Sequence, residues 1–432
     1  MPGDRRTPAW LLALTLTTFT FSTDDYVVAG VLPGIAADLR VTESAAGQLV
    51  TVFSLTFALA SPVLAVLTAT WPRRRLLTGA LLVFIAANLA VPLAGGYTAL
   101  VALRAAAALA AAAVVPAALA IAAALAPEGR QGRYLGMVMT GLTGAFVAGV
   151  PLGTWIAAAT SWHGAFVLGG ALGIASLIAL RATLPDPPPG EAATLRERLA
   201  PLSRPAVLTG LLAATAAVLG NMLFLTYLAP FLRGLSGTGA TALGAVFVLS
   251  GLAGIAGGRL GGAATDRWGP GTAMSAGTLA FAAAMTGLYA LWLARPAALA
   301  LALPLLLVWS LAAWWIPPPT AARLLALAGP AGPQALALNS SAVYIGVAGG
   351  GALGGHLLSA HGGGALPLAA AAAALAGLAL FGLAGRLARP LSGSLKPDAR
   401  PSPPGPHPTP APGASAPPDG RTPGAPRPPS TR

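Results

Sequence analysis

The 432-residue chain contains no cysteine, which excludes a disulfide framework, a thiol nucleophile and a thiolate metal site. Charge is nearly as scarce. Asp, Glu, Lys and Arg together make up 9% of the residues, where soluble proteins carry roughly a quarter. A water-facing surface cannot be built from so little charge, so the bulk solvent of this chain is lipid. Histidine is limited to His163, His356, His361 and His407, at expected outer helix ends or in the tail, without a metal-ligand spacing such as HExxH. No GxxxxGK[ST] loop is present, which argues against a nucleotide-driven machine. No metal and no cofactor are expected.

What is present is apolar: 56% of residues are hydrophobic. Crossing a hydrocarbon core of about 30 Å takes about 20 such residues in a helix. The sequence divides into twelve segments of that length, near 9–32, 45–70, 75–95, 98–126, 134–158, 163–182, 206–232, 240–264, 271–293, 297–317, 335–360 and 364–388. The expected fold is an all-α membrane protein of twelve transmembrane helices. The apolar run after Arg5 and Arg6 is too long for a secretory signal and has no convincing cleavage site, so it reads as the first span. The many glycines and alanines within the spans let helices approach closely in a bilayer.

A net charge of +13 raises the possibility of a nucleic-acid partner, but the map of basic residues argues for topology instead. Arg5, Arg6, Arg73, Arg74, Arg75, Arg130, Arg133, Arg181, Arg196, Arg198, Arg204, Arg259, Arg267, Arg323, Arg386 and Arg389 fall at one end of the spans, with the charged tail. Only Arg40, Arg233 and Arg295 fall at the other. This is the positive-inside pattern, and it predicts that both termini are cytoplasmic. The expected location is the bacterial cytoplasmic (inner) membrane, and the expected partners are the lipid bilayer, protons and a small-molecule substrate, with no nucleic acid and with the chain acting as a monomer.

A shift of about 197 residues sets Pro230 on Pro33, Gly244 on Gly47 and Trp268 on Trp71, and a shift of about 201 sets Gly350 and Gly354 on Gly149 and Gly153. The repeat predicts two pseudo-repeated six-helix bundles, 1–184 and 206–389, joined by a charged, proline-rich cytoplasmic linker, 185–205. Parallel repeats of this kind hold substrate between the halves near the bilayer midplane. Residues 390–432 are rich in Pro, Gly and Ser without periodicity and read as a disordered cytoplasmic tail.

Of the twelve acidic residues only Asp24 and Asp25 lie inside a span. A charge in the bilayer costs several kcal/mol and is usually retained for function. A carboxyl group whose exposure alternates between two compartments can take up a proton on one side and release it on the other, which is what proton coupling requires. Adjacent helical positions point about 100° apart, so one of the two faces the centre. The alternative is that both merely cap a shorter helix. Arg104 is the one basic residue well inside a span. At about 1.5 Å per residue, Asp24 lies about 22 Å from the inner end of the first span and Arg104 about 9 Å below the outer end of the fourth, depths that coincide in a slab of about 30 Å. Arg104 is therefore expected to neutralise Asp24 or Asp25 in one conformation and release it in another. Asn88, Asn221, Tyr26 and Tyr227 are candidate substrate contacts, or else interhelical hydrogen bonds. Trp292, Trp309, Trp314 and Trp315 read as interface anchors, with an aromatic pocket as the alternative.

Three stretches resemble the major facilitator superfamily, and within it the drug/proton antiporter and sugar-efflux branch that includes arabinose-efflux and chloramphenicol-efflux permeases. TDDYVVAGVLPGIAADLRVTESAAGQLVT is similar to that branch's first helix and following loop. GLTGAFVAGVPLGTW resembles its fifth-helix antiporter motif through Gly141, Gly149, Pro151 and Gly153. GGAATDRWG is similar to the cytoplasmic-loop signature through Gly262, Asp266, Arg267 and Gly269. Weaker similarity runs through ALNSSAVYIGVAGGGALGG, and Arg104 fits the family's basic position in the fourth helix. In the first half the corresponding loop reads LTATWPRRR, with Pro72 near where an Asp is expected.

The resemblance implies gating and helix-packing roles for these glycines, for Pro151 and for the Asp266–Arg267 pair, and an alternating-access mechanism with proton antiport. The expected function is secondary active efflux of a small organic molecule, such as a drug, antibiotic, sugar or nucleoside, in exchange for protons carried by Asp24 or Asp25. An uptake permease of the same fold is the alternative. A membrane enzyme would need a nucleophile with its base, a separated carboxylate pair or a metal cluster within the spans, and the sequence offers only the adjacent Asp pair.

Overall fold

The computed structural model describes residues 7–128, 130–186 and 194–388, and among them every regular element is a helix. The expected tail and most of the expected linker lie outside the described residues. Twelve long helices follow one another: α1 (Ala9–Asp38), α2 (Glu43–Leu67), α3 (Arg73–Leu89), α4 (Tyr97–Ala124), α5 (Gln131–Ala159), α6 (His163–Thr183), α7 (Pro205–Thr226), α8 (Ala240–Trp268), α9 (Pro270–Leu293), α10 (Leu299–Ala331), α11 (Gly332–His361) and α12 (Ala365–Leu387). Ten of them are long and apolar enough to cross a membrane. The other two are α1, which carries threonines and both embedded aspartates, and α3, which has 17 residues.

Local chemistry explains the ends and breaks. Thr42 caps α2 by accepting from the Ala45 N–H at 3.0 Å, with Glu43 in the first turn. Gly237, at φ 66°, supplies the left-handed residue that closes the short helix Leu228–Ser236. The expected boundaries shift at four places. Helix α1 runs on through Pro33 to Asp38, and the Leu39 N–H closes it on the Ile35 carbonyl at 3.0 Å. Helix α3 stops at Leu89, and Pro92 sits in a tight turn over Val91–Leu93. The seventh segment breaks at Tyr227 before resuming as Leu228–Ser236. The tenth continues past a break at Ile316, where three prolines, Pro317, Pro318 and Pro319, restart the helix. The linker is helical over Leu195–Leu199, where Thr194 and Glu197 form a reciprocal capping box.

Helices α1–α6 pack on one another, as do α7–α12, and two seams join these bundles: α2 lies along α11, and α5 along α8. Large apolar side chains such as Leu59, Leu67, Ile178, Leu279 and Leu301 point outward. Away from its ends and prolines a helix satisfies its own backbone polar groups, so this apolar exterior is what a lipid-facing surface requires. The molecule has two ends, here called the Arg40 end and the basic end after the loops that form them. Three hydrogen bonds cross between the bundles among the described residues. Thr51 Oγ1 donates to the Ala348 carbonyl at 3.2 Å, Trp155 Nε1 to the Thr241 carbonyl at 3.2 Å, and Arg233 to Glu43 at 2.9 Å. All three lie toward the Arg40 end.

Candidate functional site

Helix α1 brings Thr23, Asp24, Asp25 and Tyr26 into the interior of the first bundle, and α4 brings Arg104 against them. Arg104 Nη1 donates to Asp24 Oδ2 at 2.7 Å and Nη2 to the Asp24 carbonyl at 3.2 Å. Both residues are 1% exposed. The guanidinium also lies over two rings, 4.5 Å from the Phe53 centroid and 5.5 Å from that of Phe166. A guanidinium disperses its charge and stacks on aromatic faces, which suits it to a dry site better than an ammonium. Asn88 donates to the Phe84 carbonyl at 3.2 Å and stands beside Asp24 across Gly169 of α6. A methyl group at Gly169 would lie 3.2 Å from Asn88 Oδ1 and 3.4 Å from Asp24 Oδ1, so the glycine makes room for the cluster.

Asp25 is treated differently. It is 2% exposed and forms no ion pair among the described residues. It is next to Tyr344 of α11, whose ring stacks on Phe57 of α2 at 3.7 Å across the seam between the bundles. The two neighbouring acids are thus placed differently: Asp24 is ion-paired with Arg104, whereas Asp25 forms no ion pair among the described residues and has the Tyr344 hydroxyl of the other bundle beside it as a hydrogen-bonding neighbour. Burying a carboxylate without a counter-charge costs several kcal/mol.

Tyr26 leads away from this cluster. Its ring packs on Phe146 of α5 at 4.2 Å, and Phe146 meets Trp314 of α10 edge-on at 5.0 Å. Phe146 lies in a π-helical stretch, Ala145–Gly149, just before Pro151. Proline lacks an N–H and crowds the carbonyl four residues back, and a wider i→i+5 turn relieves both problems. The other motif residues of α5 face α1: a side chain at Gly141, Gly149 or Gly153 would overlap Thr18, Thr23 or Val27.

The remaining candidates fall elsewhere. Asn221 of α7 accepts from Trp309 Nε1 at 3.1 Å in a pocket between the second bundle and Phe146 of α5, on helices other than those of the Asp–Arg cluster. Tyr227 is fully buried as a packing element: its hydroxyl donates to the Gly351 carbonyl at 2.7 Å, and its ring fills the space left by Gly47, Gly354 and Gly355. Gly262 has open space around it, Gly269 turns the chain after α8 at φ 78°, and Asp266 and Arg267 are exposed. Neither of those two charges forms an ion pair among the described residues in this conformation. The sequence reasoning passed over Phe53, Phe166, Phe57, Tyr344 and Phe146. A tyrosine inside a span is itself a signal in a chain with six tyrosines, and Tyr344 stood in one of the quoted motifs. Of the four weighed tryptophans, Trp309 and Trp314 line the pocket, Trp315 donates to the Ala273 carbonyl at 2.8 Å, and Trp292 stacks on Phe231 at 5.2 Å.

The comparisons agree with this architecture. Residues 14–332 match the model of the Major Facilitator Superfamily. An uncharacterized transporter of that type, YbcL of Bacillus subtilis (strain 168), is 34% identical over 343 residues, 79% of this chain and 87% of that protein. A chloramphenicol resistance protein of Streptomyces lividans is 33% identical over 270 residues, 60% of this chain and 67% of its own length. Among solved structures, a D-xylose–proton symporter superposes with a TM-score of 0.69 at 18% identity, covering 86% of this chain and 97% of that one.

Proposed function

The chain belongs to the major facilitator superfamily and is a multi-pass membrane transporter, and from that premise we propose that it exports a small organic molecule in exchange for protons. One observation carries the reading: the Asp25 carboxylate is buried without an ion pair at the bundle seam, beside Tyr344 of the other bundle and one residue from an Asp24 already paired with Arg104. An antiporter needs a group that releases its proton on one side of the membrane in each cycle, and a carboxylate without a counter-charge between two rocking bundles has that freedom. The Asp24–Arg104 pair is the fixed charge against which it works. The bundles are the moving bodies.

The basic end is the cytoplasmic one on this reading, and with it both termini, in a bacterial cytoplasmic membrane. The hydrogen bonds at the Arg40 end then close the outward path. Asp266 and Arg267, exposed and unpaired here, become latches of the opposite state, when the basic end shuts. The similarity to a chloramphenicol resistance protein makes that compound the first substrate to try.

The test uses everted vesicles with an acidic interior and labelled chloramphenicol, then a pentose and a nucleoside. Accumulation that collapses with the pH gradient and is lost in Asp25→Asn supports antiport. Accumulation driven by acid outside the vesicle identifies a symporter, and no gradient-driven movement of any of the three removes the proposal.

A further inference from the structure

The embedded charges are confined to one bundle. Asp24, Asp25 and Arg104 belong to α1 and α4, whereas the pocket between Phe146 of α5 and the second bundle is lined without charge. Its walls combine four aromatic rings, Phe146, Phe247, Trp309 and Trp314, with three neutral hydrogen-bonding groups, Asn221, Ser250 and Ser310. Ser310 donates to the Ser250 carbonyl at 2.6 Å, while the Ser250 hydroxyl is buried and has no partner among the described residues. The Asn221 amide nitrogen is likewise left available, since its oxygen takes the Trp309 hydrogen bond. Free donors and acceptors among edge-on rings, with no ionic group, suit an uncharged aromatic molecule bearing hydroxyl or amide functions. Neither a cation nor an anion would find a counter-charge in this lining, so aromatic attraction alone would have to offset the desolvation of a cation.

We infer that substrate and proton occupy separate sites: an uncharged aromatic substrate sits at the seam between Phe146 of α5, Trp314 and the Asn221–Trp309 pair, while the proton stays with the carboxylates of α1. The inference rests on the antiport reading for its proton half and on the pocket alone for its substrate half. Coupling then runs through packing. In this conformation the pocket has a free volume of about 10 Å³, room for about one water. A substrate ring must part Phe146 from Trp314. Phe146 rides on the π-helical turn of α5, and α5 is seated on α1 so closely that Gly141, Gly149 and Gly153 admit no side chain. Displacement of Phe146 therefore presses on Tyr26 and on the turn of α1 that carries Asp24 and Asp25.

The arrangement separates what competition would merge. If substrate replaced the proton at Asp25 directly, affinity would rise with pH and vanish in Asp25→Asn. With two separate sites it does neither.

Equilibrium binding to the purified full-length chain in detergent is the test, with chloramphenicol as the neutral aromatic probe, tetraphenylphosphonium as the cation and arabinose as the aliphatic neutral. Expected are binding of chloramphenicol alone, about tenfold weaker in Asn221→Ala, within twofold of wild type in Asp25→Asn, and within twofold between pH 6 and pH 8. Preferential binding of the cation, or chloramphenicol affinity lost in Asp25→Asn, overturns the assignment, as does the absence of chloramphenicol binding. Binding that follows the expected pattern in a protein showing no proton-driven transport upholds the pocket and refutes antiport.

Discussion

Removing either partner of the Arg104–Asp24 pair should be far more costly than removing both. In Arg104→Leu the Asp24 carboxylate loses its 2.7 Å partner in a site that is 1% exposed, and the Asp24 carbonyl loses its 3.2 Å contact. In Asp24→Asn the guanidinium keeps only a neutral amide and the faces of Phe53 and Phe166. Breaking a buried pair in this way costs about 3–5 kcal/mol, whereas replacing both members with groups of similar volume is often close to neutral. The cycle Asp24→Asn, Arg104→Leu and the double variant should therefore give a coupling energy of at least about 2 kcal/mol. Unfolding in mixed micelles, followed by tryptophan fluorescence, measures it. Single variants that each cost less than about 1 kcal/mol, or effects that simply add, would show that the pair is not a mutual neutralisation and would undo the separate roles given to Asp24 and Asp25.

Other outcomes follow from the seams. Because the chain has no cysteine, Thr51→Cys combined with Ala348→Cys gives a clean cross-linking pair, and oxidation should stop transport until a reductant is added. Gly47→Val should push the Tyr227 ring out of its slot, weakening closure at the Arg40 end by about 1–3 kcal/mol; labelling of a reporter cysteine in that mouth measures the shift. Glu43→Gln removes a half-exposed ion pair and should shift the same labelling by no more than about fivefold, with Glu43→Arg/Arg233→Glu restoring it. Phe146→Ala should weaken chloramphenicol binding in the same micelles, since the ring forms one wall of the pocket, and should slow proton-driven transport by a larger factor than it weakens binding.

Much of this was legible in the sequence, and the limits have physical causes. Span length and the scarcity of charge identify a lipid-solvated helical bundle, because both respond to the solvent rather than to detailed packing. The Asp24–Arg104 encounter follows from rise per residue alone, since straight helices convert sequence position into depth. Depth says nothing of azimuth, which is why arithmetic could not choose between Asp24 and Asp25. The same gap explains Tyr227: a polar tip on a mid-span ring reads as a ligand contact, but the three glycines that receive the ring lie on two other helices. The break at Ile316 was hidden for another reason. Pro317, Pro318 and Pro319 resemble a terminus when read locally, and tertiary packing carries the helix on beyond them.

The wide turn at Ala145–Gly149 is, in effect, one residue of slack held in a membrane-crossing rod. Residues on either side keep their faces toward their neighbours because the surplus is absorbed locally. Deleting one residue there should therefore be the rare shortening that a tightly registered span survives: the coil would tighten to ordinary pitch, the alignment at both ends would persist, and only the bearing of Phe146 would turn. A single-residue deletion elsewhere in α5 offers no such refuge, since everything beyond it rotates by about 100° away from its partners. The sequence thus contains a built-in allowance for length, placed beside the ring that joins one bundle to the other.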